Sequence, residues 1–322
     1  MFDAAAANLL SPMVLFFVLG LLAGLAKSDL TIPEAIAKGL ALYLMLAIGF
    51  KGGVAVAESG LGGDLVGLIV VGVALSCLLP VLAFAGLTGL CRLDRVTAAA
   101  TAAHYGSISI VTYVTADSFL RQVGTSFNPG MVAVAALMET PAIVVGLLLA
   151  RGGAAFRGGA LRGGLWRETL LNGSVVMLVG SFAIGWITGP KGMEAVRAFA
   201  LDPMKGVLML FLLDMGLVAA RRLREANKLR APLLLFGVAM PLVSAAIALT
   251  LATLSGFAAG DAALLATLAA SASYIAVPAA MRLALPEADP GIYITLSLAV
   301  SFPFNIVAGI PLYLAAAEFL AR

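Results

Sequence analysis

Ten stretches of the chain are apolar over nearly their whole length: residues 11–26, 33–50, 64–90, 96–116, 130–150, 169–188, 203–220, 231–255, 262–283 and 291–318. A membrane-spanning helix needs about 17 to 25 such residues, and a backbone in hydrocarbon must satisfy its own hydrogen bonds as a helix or a closed barrel. Runs of this length predict an all-α integral membrane protein of ten transmembrane helices. Composition agrees, since 62% of the 322 residues are hydrophobic and 11% charged, too little polar surface to face water. The natural surroundings are membrane lipid. A net charge of +3 does not point to nucleic acid, because the basic residues sit in short connections rather than along one face. Cys77 and Cys91 have no C-x-x-C spacing and no histidine cluster beside them, so neither a disulfide framework, a metal site nor a cofactor is expected. The opening MFDAAAANLLSPMVLFFVLG carries no basic residue ahead of its apolar run and is read as a retained first helix.

Basic residues set the expected orientation. With both termini outside, the cytoplasmic connections hold 14 of the 20 lysines and arginines, which is the asymmetry of a protein in the plasma (bacterial inner) membrane. The longest connection, residues 151–168, is rich in Gly and Arg. It divides the chain into a first five-helix half, residues 1–150, and a second, residues 169–322.

The halves resemble each other. LYLMLAIGFKGGVAV (42–56) aligns with GVLMLFLLDMGLVAA (206–220), which pairs Gly52 with Gly216. PAIVVG (141–146) recurs as PFNIVAG (303–309), and Gly20 and Gly24 match Gly185 and Gly189. An odd number of helices per half turns the second upside down, so the expected architecture is an inverted repeat.

Two polar patches interrupt the apolar runs at corresponding places, AAHYGSISIVTYVTA (102–116) in the fourth segment and AASASYIAVPAAM (269–281) in the ninth. Paired Gly- or Pro-interrupted segments of this kind mark the midplane substrate site of a secondary transporter. Gly106 permits a break, and Ser107, Ile108 and Ser109 follow it with two hydroxyls and two free-turning backbone groups. On the other side, Ser271, Ser273 and Tyr274 precede Pro278, which removes a backbone donor and is expected to open the helix one turn earlier. This reading sets residues 107–109 opposite residues 274–276, with the fourth and ninth helices broken. A break at membrane depth turns N–H groups toward an anion and carbonyls toward a cation.

Candidate coupling-ion residues are His104, the one histidine; Thr112; Asn305, beside Pro303; and Glu139 and Asp214, whose carboxylates lie inside spanning segments where charge is costly. Each carboxylate is open to three roles: binding a cation, pairing with Lys51, or taking up a proton. Ser and Thr bonding back to their own helices, and Asn305 as a helix clasp, are the structural alternatives.

TAAHYGSIS, METPAIV and above all VPAAMRLALPEADPGIYI followed by SFPFNIVAGIPLYL resemble the sodium-dependent bicarbonate transporter family of the cyanobacterial carbon-concentrating mechanism. The resemblance runs along nearly the whole chain. It implies two inverted five-helix repeats, a core moving against a gate, a homotrimer, and sodium-coupled uptake of a small anion between the broken helices. The family's serines in the fourth helix fall on Ser107 and Ser109, and its acidic position before the proline of the fifth helix falls on Glu139, in place of aspartate. Cyanobacterial members carry an aspartate and a serine where this chain has Tyr274 and Ala276, which implies a weakened or relocated sodium site. The long linker associated with a PII-like regulator is short here.

The leading expectation is sodium-dependent bicarbonate symport by elevator-like alternating access. The alternative in the same fold is a transporter of another small carboxylate, driven by sodium or by protons through Glu139, Asp214 or His104. An intramembrane enzyme would need a nucleophile, base and orienting group within reach, and no such triad is visible in the sequence. A passive channel would leave the repeat unexplained.

Overall fold

The computed structural model describes residues 10–60, 62–152, 173–224 and 229–321, so nearly all of the linker at 151–168 lies outside the described residues. Every described element is helical: α1 (Pro12–Leu25), α2 (Glu34–Ser59), α3 (Gly63–Gly89), α4 (Arg95–Gly106), α5 (Ile110–Gln122), α6 (Met131–Arg151), α7 (Gly173–Ala200), α8 (Met204–Arg224), α9 (Ala231–Leu254), α10 (Ala259–Ala270), α11 (Ala276–Ala284) and a final rod, α12 (Pro290–Leu320). Two stretches of α12, Thr295–Ser301 and Asn305–Gly309, are wound as π-helix around Pro303.

By length and apolarity, α2, α3, α6, α9 and α12 each suffice to cross a membrane, and α7 with α8 forms a bent pair of the same character. The fourth and ninth segments are each two short helices, broken where their polar patches predict. The first is trimmed to 14 residues by the Ser11 cap, whose hydroxyl accepts from Val14 N, with Pro12 at the first helical position. In α7 the sixth segment runs past its expected end: Gly189, at φ 58°, turns the chain in a conformation that favours glycine, and Pro190 starts a further stretch to Ala200.

Glycines decide which helices touch most closely. A Cβ on Gly20 of α1 would fall 2.0 Å from the Leu213 carbonyl oxygen of α8, and one on Gly216 of α8 would fall 2.2 Å from the Phe17 oxygen of α1. Likewise, between α2 and α7, a Cβ on Gly53 would overlap the Phe182 carbonyl oxygen and one on Gly185 the Phe50 oxygen, while Gly52 faces Val132. Small residues let apolar helices meet backbone to backbone.

The broken helices run through the middle. All of residues 97–106, 110–120 and 260–270 are buried, whereas α1, α3 and α7 turn Leu15, Leu19, Val66, Val70 and Ile187 outward. Such outward apolar rows suit a surface against lipid.

Candidate functional site at the crossing of two broken helices

The fourth segment breaks because three local features agree. In α4, Gly106 faces Pro80 of α3 so closely that a Cβ would sit 2.1 Å from its Cγ. Beyond it the chain goes extended at Ser107 (φ −90°, ψ 171°) and Ser109 (φ −104°, ψ 111°). The Ser109 hydroxyl then caps α5, accepting from Thr112 N at 3.3 Å.

In the ninth segment Ser271 closes α10, its N–H donating to the Thr267 oxygen and its hydroxyl to the Leu268 oxygen at 2.7 Å. The chain runs extended from Ser271 (φ −76°, ψ 158°), and α11 begins at Ala276. The helix is open one turn before Pro278, as expected, and Pro278 itself sits in the first turn of α11, where its missing N–H leaves no intrahelical bond unmade.

The two breaks cross and are hydrogen-bonded to each other. Ser109 N donates to Ser271 Oγ at 2.9 Å, and Ser273 N donates to the His104 carbonyl oxygen at 2.9 Å. Ile108 and Ser109 face Tyr274 and Ile275 across a small cavity, and the hydrogen bonds that join the breaks run one to three residues earlier, through Ser271 and Ser273. Serine supplies both the extended backbone and the hydroxyl that ties the strands.

Buried polar atoms without a hydrogen-bond partner concentrate here. Among the described residues they are His104 Nε2, Ser107 Oγ, Thr112 Oγ1, Ser244 Oγ and the Tyr274 hydroxyl, four of which belong to the crossing. The Tyr274 hydroxyl approaches Ser109 without completing a bond of good geometry, while its ring packs edge-on against Phe302 at 5.1 Å. Buried polar groups are nearly always satisfied, so a cluster that is not has donors and acceptors to offer a ligand.

Beside the crossing lies a small cavity of about 10 Å³ lined by Ser109, Ser273, Tyr274 and Glu139, and closed by Met45 of α2 and Leu178 of α7. Glu139, on α6, is 7% exposed. No hydrogen bond or ion pair joins its carboxylate to a described residue. The cavity holds one water-sized particle. A dehydrated sodium ion is of that size, whereas a polyatomic anion is larger.

The other candidates lie in different settings. His104 Nδ1 is bonded to the Ala100 oxygen of its own helix at 2.7 Å, and its ring stacks on Tyr293 at 4.6 Å. Asn305 is spent as a clasp, donating to the Ala270 oxygen at 2.9 Å and accepting from the Tyr313 hydroxyl at 2.7 Å. Asp214 is buried in α8 and does not line this cavity. Lys51 pairs with neither Glu139 nor Asp214. Its ammonium stands 3.6 Å from Asp117, a residue of α5 that the sequence reading passed over. The missed signal was Asp117 four residues before Arg121, an i,i+4 ion pair on a helix.

An all-helical bundle with apolar rods around a buried polar crossing fits an integral membrane protein. The chain belongs to the Na+-dependent bicarbonate transporter superfamily, whose family model matches residues 12–318. No curated protein matches the sequence.

Proposed function

We propose that the protein carries bicarbonate together with sodium across the plasma membrane by alternating access, and that the crossing of the two breaks is its substrate site. The observation that carries this reading is the crossing itself: two extended segments, largely buried, hydrogen-bonded to each other and surrounded by unpartnered hydroxyls and an unpaired carboxylate.

The division of labour follows from charge. The positive ends of α5 and α11 converge on the crossing and favour an anion. Ser107 Oγ, committed to no protein partner, and Thr112 Oγ1 supply oxygens that replace water. Glu139 provides the negative charge for sodium, a hard cation that prefers oxygen ligands. In this chain it takes the load that the family's aspartate of the ninth helix would share, since Tyr274 stands in that place.

Ten spans in two inverted halves, 1–150 and 169–322, are part of the proposal, and reciprocal contacts support it. Ser76 donates to the Met138 oxygen between the third and fifth segments, and Ser301 donates to the Gly237 oxygen between the tenth and eighth, with donor and acceptor exchanged. Asn128 N, ahead of α6, is held by Asp261 in the first turn of α10 at 2.6 Å; Asp289 N, ahead of α12, is held by Thr97 in the first turn of α4 at 3.3 Å. The α1–α8 and α2–α7 glycine contacts pair off in the same way. In this scheme α1, α2, α7 and α8 form the gate, and the broken helices move with the core.

The test is uptake of labelled bicarbonate into proteoliposomes, with an inward sodium gradient or an inward proton gradient imposed separately. Accumulation above equilibrium under the sodium gradient is expected. Accumulation under the proton gradient alone would replace sodium by protons, and flux that never exceeds equilibrium would make the protein a channel.

A further inference from the structure

Helix α5 starts at the crossing, where the Ser109 hydroxyl caps it, so it travels with the substrate site. Asp117 lies about two turns along it, roughly 12 Å from Ser109, with its side chain 10% exposed. Arg121, one turn further on, donates to both carboxylate oxygens, Nε to Oδ2 at 2.8 Å and Nη2 to Oδ1 at 3.1 Å. The Lys51 ammonium of α2 also approaches Oδ2, at 3.6 Å. In the scheme proposed above α2 belongs to the gate and α5 to the core. This ion pair therefore spans the boundary along which alternating access must slide.

Other polar bonds between distant residues stay on one side of that boundary. Lys38 pairs with Glu34 inside α2, and Arg197 with Asp202 at the end of α7. The Tyr43 hydroxyl donates to the Phe199 oxygen, gate to gate. Ser76 with Met138, Ser109 with Ser271, Ser301 with Gly237 and Asn305 with Ala270 are all core to core. Where α2 faces the core, the neighbours of Lys51 are apolar: Met45 and Ile48 are buried, and Gly52 faces the Val132 side chain of α6. Apolar contact is non-directional, whereas the attraction between charges falls with distance. The ion pair, unlike the contacts beside it, favours one register of gate on core.

The pair is also built to release. When Lys51 leaves, Asp117 keeps both bonds from Arg121, so no carboxylate is stranded, which is the costly outcome for a buried pair. A cavity of about 530 Å³ borders Lys51, Asp117 and Arg121, and the Lys51 side chain is already 26% exposed, so water can take over the freed ammonium. We propose that Lys51 and Asp117 form a releasable latch between gate and core, which holds the conformation described and opens as the core carries the crossing across the membrane. The latch rests on the alternating-access reading above, because against a core that does not move it would be an ordinary structural ion pair.

The test is the distance between spin labels on gate and core in the purified protein, carried at Leu19→Cys of α1 and Val70→Cys of α3, both exposed, with Cys77 and Cys91 replaced by alanine. In Lys51→Met the ratio of distance populations should shift about fivefold away from the one that matches the described structure, the upper end for a partly exposed ion pair. The melting temperature should stay unchanged, which separates a lost latch from a lost fold. Asp117→Asn should shift the ratio in the same direction, and the double variant little further than either alone, as two partners of one interaction do. Lys51→Arg should keep the ratio. So should Lys38→Met, which removes an exposed ion pair inside α2 and crosses no boundary. Two populations whose ratio ignores Lys51→Met and Asp117→Asn would overturn the latch and leave alternating access standing. One distance in every variant, with and without sodium and bicarbonate, would overturn both.

Discussion

Replacing Gly106 by alanine is expected to abolish uptake and to lower the melting temperature, and removing the Pro80 ring in the same protein is expected to restore much of both. The new Cβ would lie 2.1 Å from Pro80 Cγ and 2.4 Å from its Cδ, with the Ala142 Cβ at 3.1 Å behind it. None of these atoms is the end of a flexible side chain. Overpacking of this kind costs about 1–3 kcal/mol, and relief by rotating a side chain is closed off because the Pro80 ring is fixed within α3. The end of α4 must then move, and with it residues 107–109 and the bonds Ser109 makes to Ser271. Pro80→Ala removes the clashing atoms, so the pair should be strongly non-additive in a double-mutant cycle. The measurement is thermal unfolding in detergent beside uptake in proteoliposomes. Additive losses would show that Gly106 and Pro80 do not constrain one another.

Glu139→Gln is expected to leave the fold intact and to raise the sodium concentration for half-maximal uptake by about tenfold or more, equivalent to about 1.4 kcal/mol of lost cation binding. The amide fills the volume of the carboxylate, and no described basic side chain would be stranded by losing it. The charge is therefore free to serve an ion rather than a fold. Glu139→Asp should recover part of the sodium dependence, because it keeps the charge and shortens its reach. If sodium dependence survives in the Gln variant while the response to a proton gradient is lost, Glu139 carries a proton and sodium binds elsewhere.

Much of this organisation was legible in the sequence, and the failures have particular causes. Apolar length marked the helices long enough to span a membrane, and polar residues with glycine marked both breaks. Position within the breaks was harder. The helix is open one turn ahead of Pro278, as expected, but which atoms the two breaks offer each other is set by tertiary contacts: Ser109 N meets the Ser271 hydroxyl. Asn305 carried the same polarity as a ligand would, and only its contacts with Ala270 and Tyr313 identify it as a clasp. Asp117 fell one residue beyond the apolar run that defined the fourth segment, and its partner Lys51 lies on a different helix.

Ser107 offers the most direct test of the crossing as substrate site, because its hydroxyl is buried and bonded to no protein group. Removing it costs the fold no hydrogen bond, so any loss belongs to the ligand. Equilibrium binding of labelled bicarbonate to purified protein in saturating sodium should weaken at least about tenfold in Ser107→Ala, the effect of one lost hydrogen bond to a charged group, with the melting temperature unchanged. Bicarbonate binding equal to that of the unaltered protein would contradict the placement of the anion at the crossing.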